Sequence, residues 1–113
     1  MRPDLIAMIE RITRLREEST RSSRREALLE DIEDALSEGY ARALTGDAWS
    51  EQTEHRLHEL LTDIDVPARG RTLRMLAREH TGFQAELIAL RRELAELQRD
   101  RDRLRAGSAA HSS

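Results

Sequence analysis

Apolar residues recur along this chain at steps of three and four, the spacing that lines one face of an α-helix. Leu5, Met8, Ile9, Ile12 and Leu15 predict a first helix over about 4–18, with Pro3 suited to its opening position, where a missing N–H costs nothing. Ser19 to Arg24 is polar throughout, with neither Gly nor Pro. Leu15 and Leu29 are two heptads apart, so the register survives this gap and favours one continuous helix over a break. Leu28, Leu29, Ile32, Ala35, Leu36, Tyr40, Ala43 and Leu44 then predict a segment over 24–44. Thr45-Gly46-Asp47 reads as a stop and restart, with Gly46 as a C-terminal cap and Asp47 or Ser50 as the next N-cap. A third segment over 48–64 carries Trp49, Leu57, Leu60, Leu61 and Ile64, and Asp65-Val66-Pro67 ends it, because Pro67 disfavours a helical Val66.

The longest pattern fills residues 67–105. Leu73, Leu76, His80, Phe83, Leu87, Leu90, Leu94, Leu97, Arg101 and Leu104 alternate at three and four, as the a and d positions of a coiled coil do. Gly82 inside it costs about 1 kcal/mol relative to Ala without breaking the pattern. Residues 106–113 are predicted to be a disordered tail. The fold class is therefore all-α: a helical hairpin or bundle over 1–66, followed by a long C-terminal coiled-coil helix.

Charges beside that seam bear on its partner. The g positions are Thr72, Glu79, Glu86, Glu93 and Asp100, and the e positions are Ala77, Gln84, Arg91, Gln98 and Arg105. In a parallel pair, Glu86 meets Arg91 and Asp100 meets Arg105 of the other chain, whereas an antiparallel self-pair stacks acid on acid. The pattern predicts a parallel homodimer with the seam Leu73, Leu76, His80, Phe83, Leu87, Leu90, Leu94, Leu97 and Leu104. The other arrangement packs the same face on helices of its own chain. His80 and Arg101 are polar seam positions of the kind that fix register.

Composition narrows the classes. Aromatics make up 3% of the residues, too few for a β-sandwich or barrel. There is no cysteine, hence no disulfide and no thiolate ligand. No apolar run is long enough for a transmembrane helix, and the N-terminus lacks the apolar core of a signal peptide, so a cytoplasmic protein without membrane attachment is expected. All 19 basic residues are arginine, and asparagine is also missing, as a GC-rich bacterial coding sequence would produce. Every cation is thus a planar fork suited to carboxylate or phosphate. The net charge of −3 is unevenly spread: residues 1–25 and 66–113 are basic, while residues 26–65 hold two arginines and twelve acids. The acidic middle either folds back on the basic ends or meets a basic protein partner, with Glu30 and Asp34 as its surface. An acidic balance with few stacking aromatics speaks against nucleic-acid binding.

Candidate chemistry is sparse. No nucleophile–base constellation, phosphate loop or G-x-S-x-G motif is present, so no enzyme is expected. His55 and His58 lie near Glu51, Glu54 and Glu59, but without a Glu-x-x-His spacing or a matching second segment, so no metal is expected. Segment 14–33 carries Arg14, Arg16, Arg21, Arg24 and Arg25 among serines. On a continuous helix, Glu18, Ser22, Arg25, Leu29 and Glu33 share one face. A carboxylate, a hydroxyl and a guanidinium in a row suit a guanine edge and a phosphate; the plainer reading is a solvated polar stretch. Residues 18–33 resemble the helical signature E-x3-S-x2-R-x3-Q-x3-D of the bacterial anti-sigma factors that bind cyclic di-GMP. Glu18, Ser22 and Arg25 match it, and Leu29 and Glu33 stand where the signature has glutamine and aspartate. The resemblance implies a helical coiled coil that sequesters a sigma factor, with Glu18, Ser22, Arg25 and Glu33 facing the nucleotide. The expected function is a non-catalytic regulatory protein–protein interaction module, a coiled-coil adaptor in transcription control. The alternatives are a nucleotide second-messenger sensor and a structural self-assembling coiled coil.

Overall fold

The computed structural model describes residues 2–21, 25–62 and 69–111. They form three helices, α1 (Leu5–Arg21), α2 (Arg25–Thr62) and α3 (Arg69–His111), and no strand occurs among the described residues. The all-α class is as expected, but the partition differs. Glycines at 39 and 46 lie inside α2, which runs through Thr45-Gly46-Asp47 without a break, so the segments 24–44 and 48–64 are one helix. α3 continues to His111 where a tail was expected from 106. Ile64, Val66, Pro67 and residues 112–113 lie outside the described residues. Pro3 is not the first helical residue: Asp4 caps α1, its Oδ1 accepting the Ala7 N–H at 3.0 Å.

Cross-links fix the directions. Arg42 Nη1 donates to the Asp4 carbonyl at 3.0 Å and Arg11 pairs with Glu38, so α1 and α2 run antiparallel and are not one continuous helix. Arg2 bonds Glu86 at 2.8 Å and Arg16 bonds Glu93 at 2.7 Å, so α1 is parallel to α3. Along α2 and α3, Glu33 pairs with Arg105, Tyr40 with Gln98 and Asp47 with Arg91. These partners step by seven down one helix and up the other, as an antiparallel coiled coil requires. The molecule is a rod of 71 × 19 × 18 Å. At 1.5 Å per residue, the 17 residues of α1 span only about 26 Å of that length. The rod is a three-helix bundle where α1 lies in the α2–α3 groove. Below Trp49 and Phe83 it is a two-helix arm.

The core explains why α2 does not stop at Gly46. α3 presents large side chains: Phe83, Leu87, Leu90, Leu94 and Leu97, all buried. α2 opposes them with Ala35, Gly39, Ala43, Gly46, Ser50 and Thr53, also buried. Large side chains from one helix thus fill the space left by small ones on the other. A Cβ built at Gly46 would lie 3.0 Å from Leu87 Cδ1 and 3.2 Å from Phe83 Cζ, and one at Gly39 would lie 2.5 Å from Leu94 Cδ2. No glycine among the described residues has positive φ, so none serves as a left-handed cap. Helix propensity alone favours alanine over glycine by about 1 kcal/mol. At Gly82, where an added Cβ meets nothing within 4 Å, that gain should appear in full. Gly39→Ala should instead lose stability by about 1 kcal/mol, because fully buried Leu94 has to shift. Chemical denaturation of the two variants should give opposite signs; a common sign would refute the close α2–α3 approach.

The seam expected to join two chains is consumed within one. Phe83, Leu87, Leu90, Leu94 and Leu97 are buried against α1 and α2, and Leu73, Leu76 and Leu104 are half-buried. The flanking charges are also taken. Arg91 and Arg105 pair with Asp47 and Glu33 of the same chain, and Glu86 and Asp100 pair with Arg2 and Arg103. A homodimer through this seam is therefore replaced by an intramolecular bundle.

Candidate interaction surface

Charge is segregated by helix. α2 holds three arginines and ten carboxylates, a net −7; α3 holds ten arginines and six carboxylates, a net +4. Part of this imbalance is neutralised inside the rod. Arg16 is the main tie between α1 and α3, with Glu93 at 2.7 Å, Asp100 at 3.5 Å and Glu96 at 3.8 Å. The hydrogen bond to Glu93 and the three carboxylate charges hold its guanidinium above its ordinary pKa, against the cost of burial. Glu38 on α2 accepts from both Arg11 and Arg42, and the Arg11 hydrogen bond chiefly holds its carboxyl below the usual carboxylate range.

Other acids stay outside these ties. Glu26, Glu30 and Asp34 are exposed at successive turns of α2, and among the described residues no cation pairs with them. Acids in the first turns complement the positive end of the helix dipole, which accounts for Glu26 more than for Asp34. The proposed partner residues Glu30 and Asp34 thus lie together on open surface.

The residues of the nucleotide signature are not brought into one row. Glu18 is exposed on α1, in a groove with Arg11, Arg14, Leu15 and Asp31. Arg25 and Glu33 are on α2, and Ser22 lies outside the described residues. Arg25 is half-buried beside Gly107, where an added Cβ would lie 3.2 Å from its Nη1. Glu33 is bound to Arg105. The single helical face expected from a continuous helix is lost, because α1 ends at Arg21 and α2 turns back along it.

His80 is buried one turn of α3 before Phe83, beside the start of α1, its Nε2 3.0 Å from Ser50 Oγ and 3.5 Å from Glu54. It satisfies a seam position by a hydrogen bond, with Ser50 as a partner the sequence did not suggest. Arg101, the other polar seam position, pairs with Asp102 at 3.1 Å. Exposed His55 pairs with Glu59 at 3.3 Å. Among the described residues, no three His, Cys, Asp or Glu side chains are gathered as a metal site. Sequence reading also missed the cluster at this level of the rod. Trp49 and Phe83 meet edge to face, 4.5 Å between centroids at 60°, and the Arg2 guanidinium lies 5.2 Å from the Phe83 ring and 6.0 Å from Trp49. Their sequence separation left no local signal, beyond each aromatic being one of a kind.

No helix of the described residues is long and apolar enough to cross a membrane. Comparison with known protein families, with curated proteins and with solved structures found no match for this chain. The class defined here is an all-α rod, a three-helix bundle that continues as a two-helix arm.

Proposed function

We propose that this chain is a non-catalytic regulatory protein–protein interaction module, an adaptor that offers the acidic face of α2 around Glu30 and Asp34 to a basic segment of another protein. The carrying observation is that stripe of exposed carboxylates on a helix of net charge −7, left without cations while the rod neutralises its inner flanks. The buried polar groups support the reading, because they are spent on structure: Ser50 on His80, and Asp100 on Arg16 and Arg103. Complementary charge of this kind gives orientation and salt-sensitive capture.

A co-purified partner should lose affinity for Glu30→Arg/Asp34→Arg by about tenfold or more, equivalent to ~1.4 kcal/mol, with helicity unchanged. Unchanged capture would reject this surface. The same assay with added cyclic di-GMP tests the anti-sigma-like reading. A nucleotide-dependent rise in melting temperature, abolished by Arg25→Ala, would replace the adaptor with a second-messenger sensor.

A further inference from the structure

With the heptad seam spent internally, another face remains open. The row Glu33–Arg105, Tyr40–Gln98 and Asp47–Arg91 closes one side of the α2–α3 hairpin. α1 occupies the other side, tied there through Arg42 and Arg16. Among the described residues no helix covers the face outside the row, yet it carries three of the large exposed apolar side chains: Tyr40 at 43%, Leu44 at 69% and Ile88 at 58% exposure. Helical spacing places Ala48 beside Leu44, and Ala95 one heptad beyond Ile88, small exposed residues that admit a close neighbour.

The two edges of this face have opposite charge. Beyond Glu33 and Asp47, which the row neutralises, the α2 edge carries Glu26, Glu30, Glu51 and Glu54 and no cation. The three arginines of α2 lie elsewhere: Arg25 beside Gly107, Arg42 toward Asp4, and Arg56 two heptads beyond Arg42 on the same flank. Beyond Arg91 and Arg105, spent in the row, and Arg99, paired with Glu96 at 2.8 Å, the α3 edge carries Arg74 and Arg92, with Asp102 bound to Arg101. An apolar centre between an acidic and a basic edge is complementary to itself under a two-fold axis. With the axis along the rod, each acidic α2 edge faces the basic α3 edge of the other copy. With the axis across the rod, acid meets acid and arginine meets arginine.

We propose that a second copy of this chain docks on the Tyr40–Leu44–Ile88 face, parallel to the first, so that α2 and α3 of both copies form a four-helix core with α1 on the outside. Glu30 and Asp34 lie two heptads from Leu44 and Ala48 on the same side of α2, so a docked copy and a basic partner would compete for this side; the proposal does not rest on the adaptor reading.

Sedimentation equilibrium at millimolar chain concentration should give twice the 13.0 kDa chain mass. Leu44→Glu/Ile88→Glu should return the single-chain mass with helicity retained, because both side chains are exposed in the isolated rod. The chain has no cysteine, so one spin label at Thr62→Cys, on the exposed end of α2, reports direction. Parallel copies give a separation near the 19 Å width of the rod, and antiparallel copies one that approaches its 71 Å length. A single-chain mass for the unmodified protein, a dimer that survives the double substitution, or a long label distance would each overturn the proposal.

Discussion

Phe83→Ala should lower the unfolding free energy by about 3–5 kcal/mol, the range for truncating a fully buried aromatic. Phe83 is the largest fully buried side chain, at 0% exposure. It lies over Gly46, edge to face with Trp49, beneath the guanidinium of Arg2. A glycine opposite cannot refill the space, and α2 is held off by the Leu87 and Leu90 layers above it, so the cavity persists. For a domain with about 5–15 kcal/mol in total, the loss is a large fraction of stability. Urea unfolding followed by circular dichroism gives the free energy, and Trp49 fluorescence should report the same midpoint. A loss under about 1 kcal/mol would mean that Phe83 is not packed as described.

Ile12→Asp should detach α1 from the bundle. Leu5, Met8, Ile12 and Leu15 form the buried stripe of α1, and Ile12 is 0% exposed. An unpaired carboxylate there costs on the order of 3–5 kcal/mol, more than α1 can offset through its polar ties to Glu38 and Glu93. Once released, a helix of 17 residues is marginal in water. Far-UV helicity should fall by about one-sixth, since α1 supplies 17 of 98 helical residues. Hydrogen exchange should show α1 amides open while those from Ala35 to Ala43 in α2 stay protected by α3. Full protection of α1 would show that its stripe is not the contact holding it.

Much of this architecture was legible in the sequence, and the errors have particular causes. The heptads of α3 and the apolar stripe of α1 declare themselves, because each is a regular repeat within one helix. Gly46 reads as a helix end because a glycine among polar neighbours looks the same whether it ends a helix or makes room for a ring; only Phe83, 37 residues away, distinguishes the two. The seam points as readily to a second chain as to its own, because heptads specify a partner face and not its owner. A clue was present: Ala35, Gly39, Ala43, Gly46, Ser50 and Thr53 repeat at threes and fours, a run of small residues fitted to the bulk of α3. Likewise Arg91 and Arg105 match acids of a second chain by heptad position, while Asp47 and Glu33 stand one hairpin away in the same chain. Glu18 and Glu33 fall in one row of the sequence pattern only because the polar stretch between them contains no residue that forbids helix.

The step from three helices to two has a mechanical meaning. A beam resists bending according to how widely its material is spread about the axis, and α1 widens the rod over about 26 Å alone. Stiffness therefore drops abruptly at the level of Arg2, Trp49 and His80. Thermal bending concentrates there, so the arm swings as a lever on a stiff handle. A load taken up at the arm tip would be felt first by the Arg2–Phe83 stack and the Ser50–His80 bond, the contacts that straddle this fulcrum.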